Sequence, residues 1–161
     1  MTTLAFSNLR TPRAIAWLAV FLVVVIVVGA VIGVSNLPGA WYEGLRKPPF
    51  NPPNWVFGPV WFTLYVLIAV AGWRTFLAAP RSPRMGLWCA QMLLNWAWSP
   101  VWFSLHALRP AFAIIVAIFA LIIAFIAASW RSDRVSAWLF VPYALWVGFA
   151  SSLNLSVALL N

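Results

Sequence analysis

WYEGLRKPPFNPPNWVFGPVWFTLY, residues 41–65, is the longest break between apolar segments in this chain. It puts five prolines (Pro48, Pro49, Pro52, Pro53, Pro59), three tryptophans and the basic pair Arg46, Lys47 where a plain helical hairpin needs only a few polar turn residues. Proline fixes φ and removes a donor, and aromatic rings add stiff apolar surface. The composition therefore predicts a rigid aromatic lid of ligand size. Residues 41–54 form the cover, while Val56–Tyr65 begin the next helix and lower Trp61 beneath it.

Outward from this stretch the chain is apolar. Of 161 residues, 65% are hydrophobic and 7% charged, with a mean hydropathy of +0.95, whereas a soluble domain is about one quarter charged. Only helices and closed barrels satisfy every backbone hydrogen bond in hydrocarbon, and the apolar runs here lack the alternation of barrel strands. The chain reads as an all-α integral membrane protein: a bundle of five transmembrane helices at roughly 14–35, 55–77, 86–105, 111–130 and 135–159. A long Trp/Pro-rich loop joins the first two, and residues 1–161 form one domain. The later connections are short, which makes successive helices antiparallel neighbours. Arg10 and Arg13 ahead of Ala14–Val34 imitate a signal peptide, but the apolar run is long enough to span.

The net charge of +8 comes from ten Lys/Arg against Glu43 and Asp133. In a soluble protein that balance suggests nucleic acid. Here the cations lie between apolar runs, so they orient the chain and meet membrane lipids, and no nucleic-acid partner is expected. Arg10, Arg13, Arg74, Arg81, Arg84, Arg131 and Arg134 fall on one side, seven cations against Arg46, Lys47 and Arg109, three, on the other. The positive-inside rule then places the N-terminus in the cytoplasm. The long loop and the C-terminus become periplasmic in a bacterial inner membrane.

The third span carries Gln91, Asn95 and Ser99 on one face, beside Trp98 and Trp102. A polar stripe in lipid must face the bundle interior or a cavity, and interhelical hydrogen bonding competes as its explanation. Trp61 and Trp146 lie about two turns inside their spans, deeper than an interfacial belt. Trp17, Trp73, Trp88, Trp130 and Trp138 belong to belts or packing. Trp61, Asn95 and Trp146 can thus line one pocket, with Pro59 and Pro142 bending their helices beside it. Such a pocket suits a large planar apolar ligand. Arg46 and Lys47 would meet either a ligand carboxylate or lipid headgroups. Gly29 and Gly33 have GxxxG spacing, and Ala113, Ala117, Ala120, Ala124 and Ala128 form a small-residue ridge. Both fit packing within the monomer or a homodimer seam.

No catalytic constellation or metal-ligand cluster appears, and no cofactor is required. Cys89 is the only cysteine, which excludes an intrachain disulfide. His106 is the sole histidine, in a tight turn; an interfacial role and an axial haem ligand are both open to it.

Trp41-Tyr42, Leu45, Lys47-Pro48, Pro52-Pro53, Trp55, Pro59, Trp61 and Leu64-Tyr65 are followed by LNWAWSPVWF at 94–103, VPYALW at 141–146 and Leu153-Asn154. In that order these motifs resemble the TspO/MBR family, the tryptophan-rich sensory proteins of bacteria and the mitochondrial translocator protein, over about 120 residues. The resemblance implies a five-helix bundle, usually dimeric, with a pocket beneath the first long loop. It implies porphyrin ligands such as protoporphyrin IX and haem, and a role as receptor, sensor or carrier in tetrapyrrole metabolism or stress response. Alternatives that it implies are light-dependent porphyrin degradation by a tryptophan pair, and transport of tetrapyrroles or lipids. The pair falls on Trp61 and Trp146 and the pocket amide on Asn95. Further ligand-contacting positions fall on Phe57, Gly58, Val60, Ala113, Ala150 and Leu153, with Trp41 and Trp98 joining them from the residue reading. In the lid, Phe50 stands where many relatives have tryptophan. The animal cholesterol motif needs a tyrosine and a basic residue where this chain has Leu155 and Leu159.

Overall fold

The computed structural model describes residues 9–161, and among these it has six α-helices, one π-helical segment and no strand. In chain order they are α1 (Pro12–Ser35), α2 (Ala40–Gly44), α3 (Asn54–Ala78), α4 (Pro83–Ser99) with the π segment Pro100–Ser104, α5 (Leu108–Ser129) and α6 (Arg134–Leu160).

Helix starts follow local chemistry. Thr11 and Ser82 accept from the amides of Ala14 (3.2 Å) and Met85 (3.3 Å), each followed by a proline whose missing N–H costs nothing in the first turn. Asp133 caps α6 by accepting from the Ser136 amide and hydroxyl. At the other end of α1, the Asn36 amide donates to the Ile32 carbonyl and its oxygen accepts from Ser104, tying α1 to the π segment.

Four helices, α1, α3, α5 and α6, are long and apolar enough to cross a membrane. The remaining expected span, 86–105, is instead the 17-residue α4 running into the π segment. Its regular part is short because Pro100 has no N–H for the carbonyl one turn back. The winding widens there, and Leu105 N–H bonds to the Pro100 carbonyl at 2.9 Å. Gln91 and Asn95 also make it more polar than its neighbours.

Helix α1 packs on α3, α3 on α6, α6 on α5 and α5 on α4, while α4 touches α1 and α3 only lightly. The core is a regular apolar stripe: Ile115, Ile118, Ile122 and Phe125 of α5 meet Phe140, Tyr143, Val147 and Ala150 of α6. Two glycines admit rings from neighbouring helices. A Cβ on Gly29 would lie 2.7 Å from Tyr65 Cζ, and one on Gly72 would lie 2.6 Å from Trp88 Nε1. Gly33 faces open space. Along the alanine ridge of α5, Ala113, Ala120 and Ala128 are exposed and Ala117 and Ala124 half-buried, so the ridge borders the core and does not enter it.

Candidate ligand cavity

Where α4 stands off from α1 and α3, the bundle encloses a cavity of about 520 Å³ beneath the loop joining α1 to α3. Its wall takes Phe57, Gly58, Trp61 and Tyr65 from α3, Asn95, Trp98 and Ser99 from α4, and Trp146, Ala150, Leu153 and Asn154 from α6. Tyr42, Asn51 and Asn54 close it from the loop side. Among the described residues the wall carries no charged side chain.

The rings meet edge to face or tilted, as aromatic quadrupoles prefer. Phe57 lies 5.8 Å from Trp146 at 73°, and Trp61 lies 5.6 Å from Tyr65 and 6.3 Å from Tyr143. Behind the rings runs a one-way line of hydrogen bonds. Tyr65 donates to Asn95 Oδ1 (3.2 Å), Asn95 Nδ2 donates to the Tyr143 hydroxyl (2.9 Å), Tyr143 donates to Gln91 Oε1 (3.0 Å), and Gln91 Nε2 donates to the Trp88 carbonyl (2.9 Å). Trp98 Nε1 donates to Asn154 Oδ1 at 3.1 Å. In contrast, Trp146 Nε1 is buried and has no partner in the protein. A buried donor left unpaired costs roughly 1–3 kcal/mol, and this one lies within the wall, behind the face that the cavity exposes.

The lid is fastened at its first half. Trp41 stacks on His106 with ring centroids 4.0 Å apart, and Tyr42 packs edge-on against Phe103. His106 adopts φ 53°, in the left-handed region, which turns its ring toward Trp41 and keeps it off the cavity wall. The Asn161 carboxamide grips Arg46 on both backbone groups, accepting from its N–H (3.0 Å) and donating to its carbonyl (3.1 Å). Lys47 Nζ lies 4.5 Å over the Tyr42 ring and donates to the Glu43 and Leu45 carbonyls. Burial pushes the Tyr42 hydroxyl above its usual pKa, with Asn51 drawing it partly back. At the opposite end Arg74 and Asp133 form a bidentate pair, 2.8 and 3.1 Å. Burial alone would raise the Asp133 carboxyl, but the bonds from Arg74 and Ser136 and the Arg74 charge outweigh it and hold the group below the ordinary carboxylate value.

Of the positions singled out in the sequence, Phe57, Gly58, Trp61, Asn95, Trp98, Trp146, Ala150 and Leu153 come together on the wall. Trp41 and Val60 pack behind it, and Ala113 is exposed on the far face of α5. Arg46, Lys47 and Phe50 sit on the lid, away from the wall; Phe50 is 49% exposed and leans toward Phe149. Sequence reasoning passed over Tyr42, Asn51 and Asn54, and the face of α1 from Ile26 to Val34, which shows no polar marker. Among the described residues no group of three or more His, Cys, Asp or Glu could hold a metal.

Among the described residues, span-length apolar helices around an aromatic, uncharged cavity mark an integral membrane protein of the all-α class. This chain belongs to the TspO/MBR family, whose model matches residues 15–160. It is similar to protein CrtK of Rhodobacter capsulatus, 35% identical over 89% of this chain and 91% of that one. It is also similar to the tryptophan-rich sensory protein of Cereibacter sphaeroides (32%; 82% and 84% covered) and the human translocator protein (34%; 73% and 72%).

Proposed function

We propose that this protein binds a porphyrin-type ligand, protoporphyrin IX or haem, in the cavity and acts as a membrane sensor, regulator or carrier in tetrapyrrole metabolism. The observation that carries this reading is the indole pair Trp61 and Trp146 on the wall of a 520 Å³ cavity. A flat macrocycle gains stacking and apolar burial from the rings. Titrating protoporphyrin IX into the purified protein should quench tryptophan fluorescence saturably. An unaltered titration for the Trp61→Ala, Trp146→Ala double variant overturns the reading.

A second reading, light-dependent porphyrin breakdown, is favoured by the ring contacts that join Trp61 to Tyr65 and Tyr143. Illuminating the complex decides it: absorbance decay equal to that in empty micelles removes the enzyme. The membrane arrangement we infer is five crossings, with Pro83–Ser104 as one continuous crossing on the order of 30 Å long at 1.5 Å per residue. The arginine-rich end then faces the cytoplasm of a bacterial inner membrane and the lid the periplasm, and two copies associate as a homodimer along the exposed alanines of α5.

A further inference from the structure

A second concavity, of about 320 Å³, lies on the outer face of the bundle between α3 and α6, at the end opposite the lid. Leu67, Val135, Leu139 and Pro142 give it apolar walls, Trp138 flanks it, and Arg134 stands at its head. It shares no residue with the ligand cavity.

Two features say what fits there. Arg134 has no carboxylate: among the described residues the one ion pair is Arg74–Asp133, which neutralises the nearest acid. Its guanidinium instead lies 5.8 Å over the Trp130 ring, and Trp130 lies 5.7 Å from Trp138, so a cation and two indoles share one interfacial patch. An occupant must therefore carry a negative group at the head and an apolar chain below it.

The geometry points to a site for one anionic phospholipid, with its phosphate on Arg134, its headgroup among Trp130 and Trp138, and an acyl chain in the groove. Charge complementarity selects an anionic over a zwitterionic lipid, because Arg134 is worth about a fivefold preference at a membrane surface.

Native mass spectrometry of the protein in a neutral detergent, offered phosphatidylglycerol and phosphatidylcholine of matched chains, tests this. One phosphatidylglycerol should be retained preferentially. Arg134→Gln should lower that preference about fivefold, and Val135→Trp, which fills the groove and leaves the charge, should lower it as well. Arg81→Gln, at the same end but off the groove, should leave it unchanged. Equal retention of the two lipids overturns the site, as does a loss shared equally by Arg81→Gln and Arg134→Gln. Full retention by Val135→Trp removes the acyl chain from the groove. Inorganic phosphate that displaces the lipid at comparable concentration makes this an anion site, and the lipid proposal fails.

Discussion

Gly29→Ala tests whether this bundle is held together by ring-into-glycine contacts. The added Cβ would sit 2.7 Å from Tyr65 Cζ and 3.0 Å from Cδ2, well inside contact distance. Overpacking of this kind costs about 1–3 kcal/mol. The ring cannot retreat freely, because doing so gives up the 3.2 Å bond from its hydroxyl to Asn95, worth roughly 0.6 kcal/mol in a membrane. The expected loss is about 2–4 kcal/mol. Gly33 lies one turn further on with nothing within 4 Å, so Gly33→Ala should be neutral or slightly stabilising through helix propensity. Thermal unfolding in detergent, followed by circular dichroism, should place Gly29→Ala roughly 5–10 °C below wild type and Gly33→Ala level with it. In a Tyr65→Ala background the Gly29→Ala penalty should vanish, since the obstructing ring is gone. Equal behaviour of the two glycine variants refutes the contact, and so does a penalty that survives without Tyr65.

Two further outcomes follow from the ends of the bundle. Asp133 has a depressed folded-state pKa, so its contribution is complete above the unfolded value of about 4 and is lost as pH falls through the folded value. Wild type should therefore lose stability below about pH 4, and Asp133→Asn should be less stable at neutral pH and flatter on acidification; parallel melting curves for the two across pH 3 to 6 contradict this. Asn161→Ala removes both bonds to the Arg46 backbone. Hydrogen exchange at the Arg46 amide should then rise by about tenfold, for one bond of roughly 1 kcal/mol or slightly more, while amides of the α6 core stay protected; unchanged exchange at Arg46 shows that the lid is held by something else.

Much of this architecture was legible in the sequence, because lipid removes most alternatives for the backbone. Runs of apolar residues without alternation leave only helices, and Thr-Pro, Ser-Pro and Ser-Asp-Arg mark where three of them start. Trp61, Asn95 and Trp146 stood out for a physical reason: each is costly at mid-span unless it faces a cavity or a partner. What stayed hidden depends on tertiary placement. Ala113 sits at the right helical spacing, but its azimuth on α5 turns it outward, and spacing alone does not reveal which stripe of an all-apolar helix is the buried one. Charge alone left Arg46 and Lys47 with either a ligand carboxylate or lipid headgroups as partners, and it did not show that Lys47 also reaches backbone carbonyls and a ring. The π segment follows from the missing N–H of Pro100, but a proline inside a helix can kink it as readily as widen it, and the sequence does not say which.

The saturation of the polar wall has a consequence for ligand choice. Tyr65, Asn95, Tyr143 and Gln91 pass hydrogen bonds in one direction to a backbone carbonyl, and Trp98 is spent on Asn154. Among the described residues, the Trp146 N–H is the one buried polar atom of the wall residues left unpaired, and no charged side chain lines the wall. Selection should then rest on planar shape, with little weight on the ligand's carboxylates, which must remain at the rim. Protoporphyrin IX dimethyl ester should bind within about threefold of the free acid, since a screened rim charge is worth roughly 0–1 kcal/mol. A porphyrinogen, with the same substituents on a puckered ring, should bind about 5- to 150-fold more weakly for want of stacking on Trp61 and Trp146, at about 0.5–1.5 kcal/mol for each of the two ring pairs. Fluorescence titration of the three ligands in one detergent makes the comparison. An ester tenfold weaker than the acid, restored to parity by Arg46→Gln through loss of acid binding, would move recognition from the wall to the lid cation and overturn the argument from saturation.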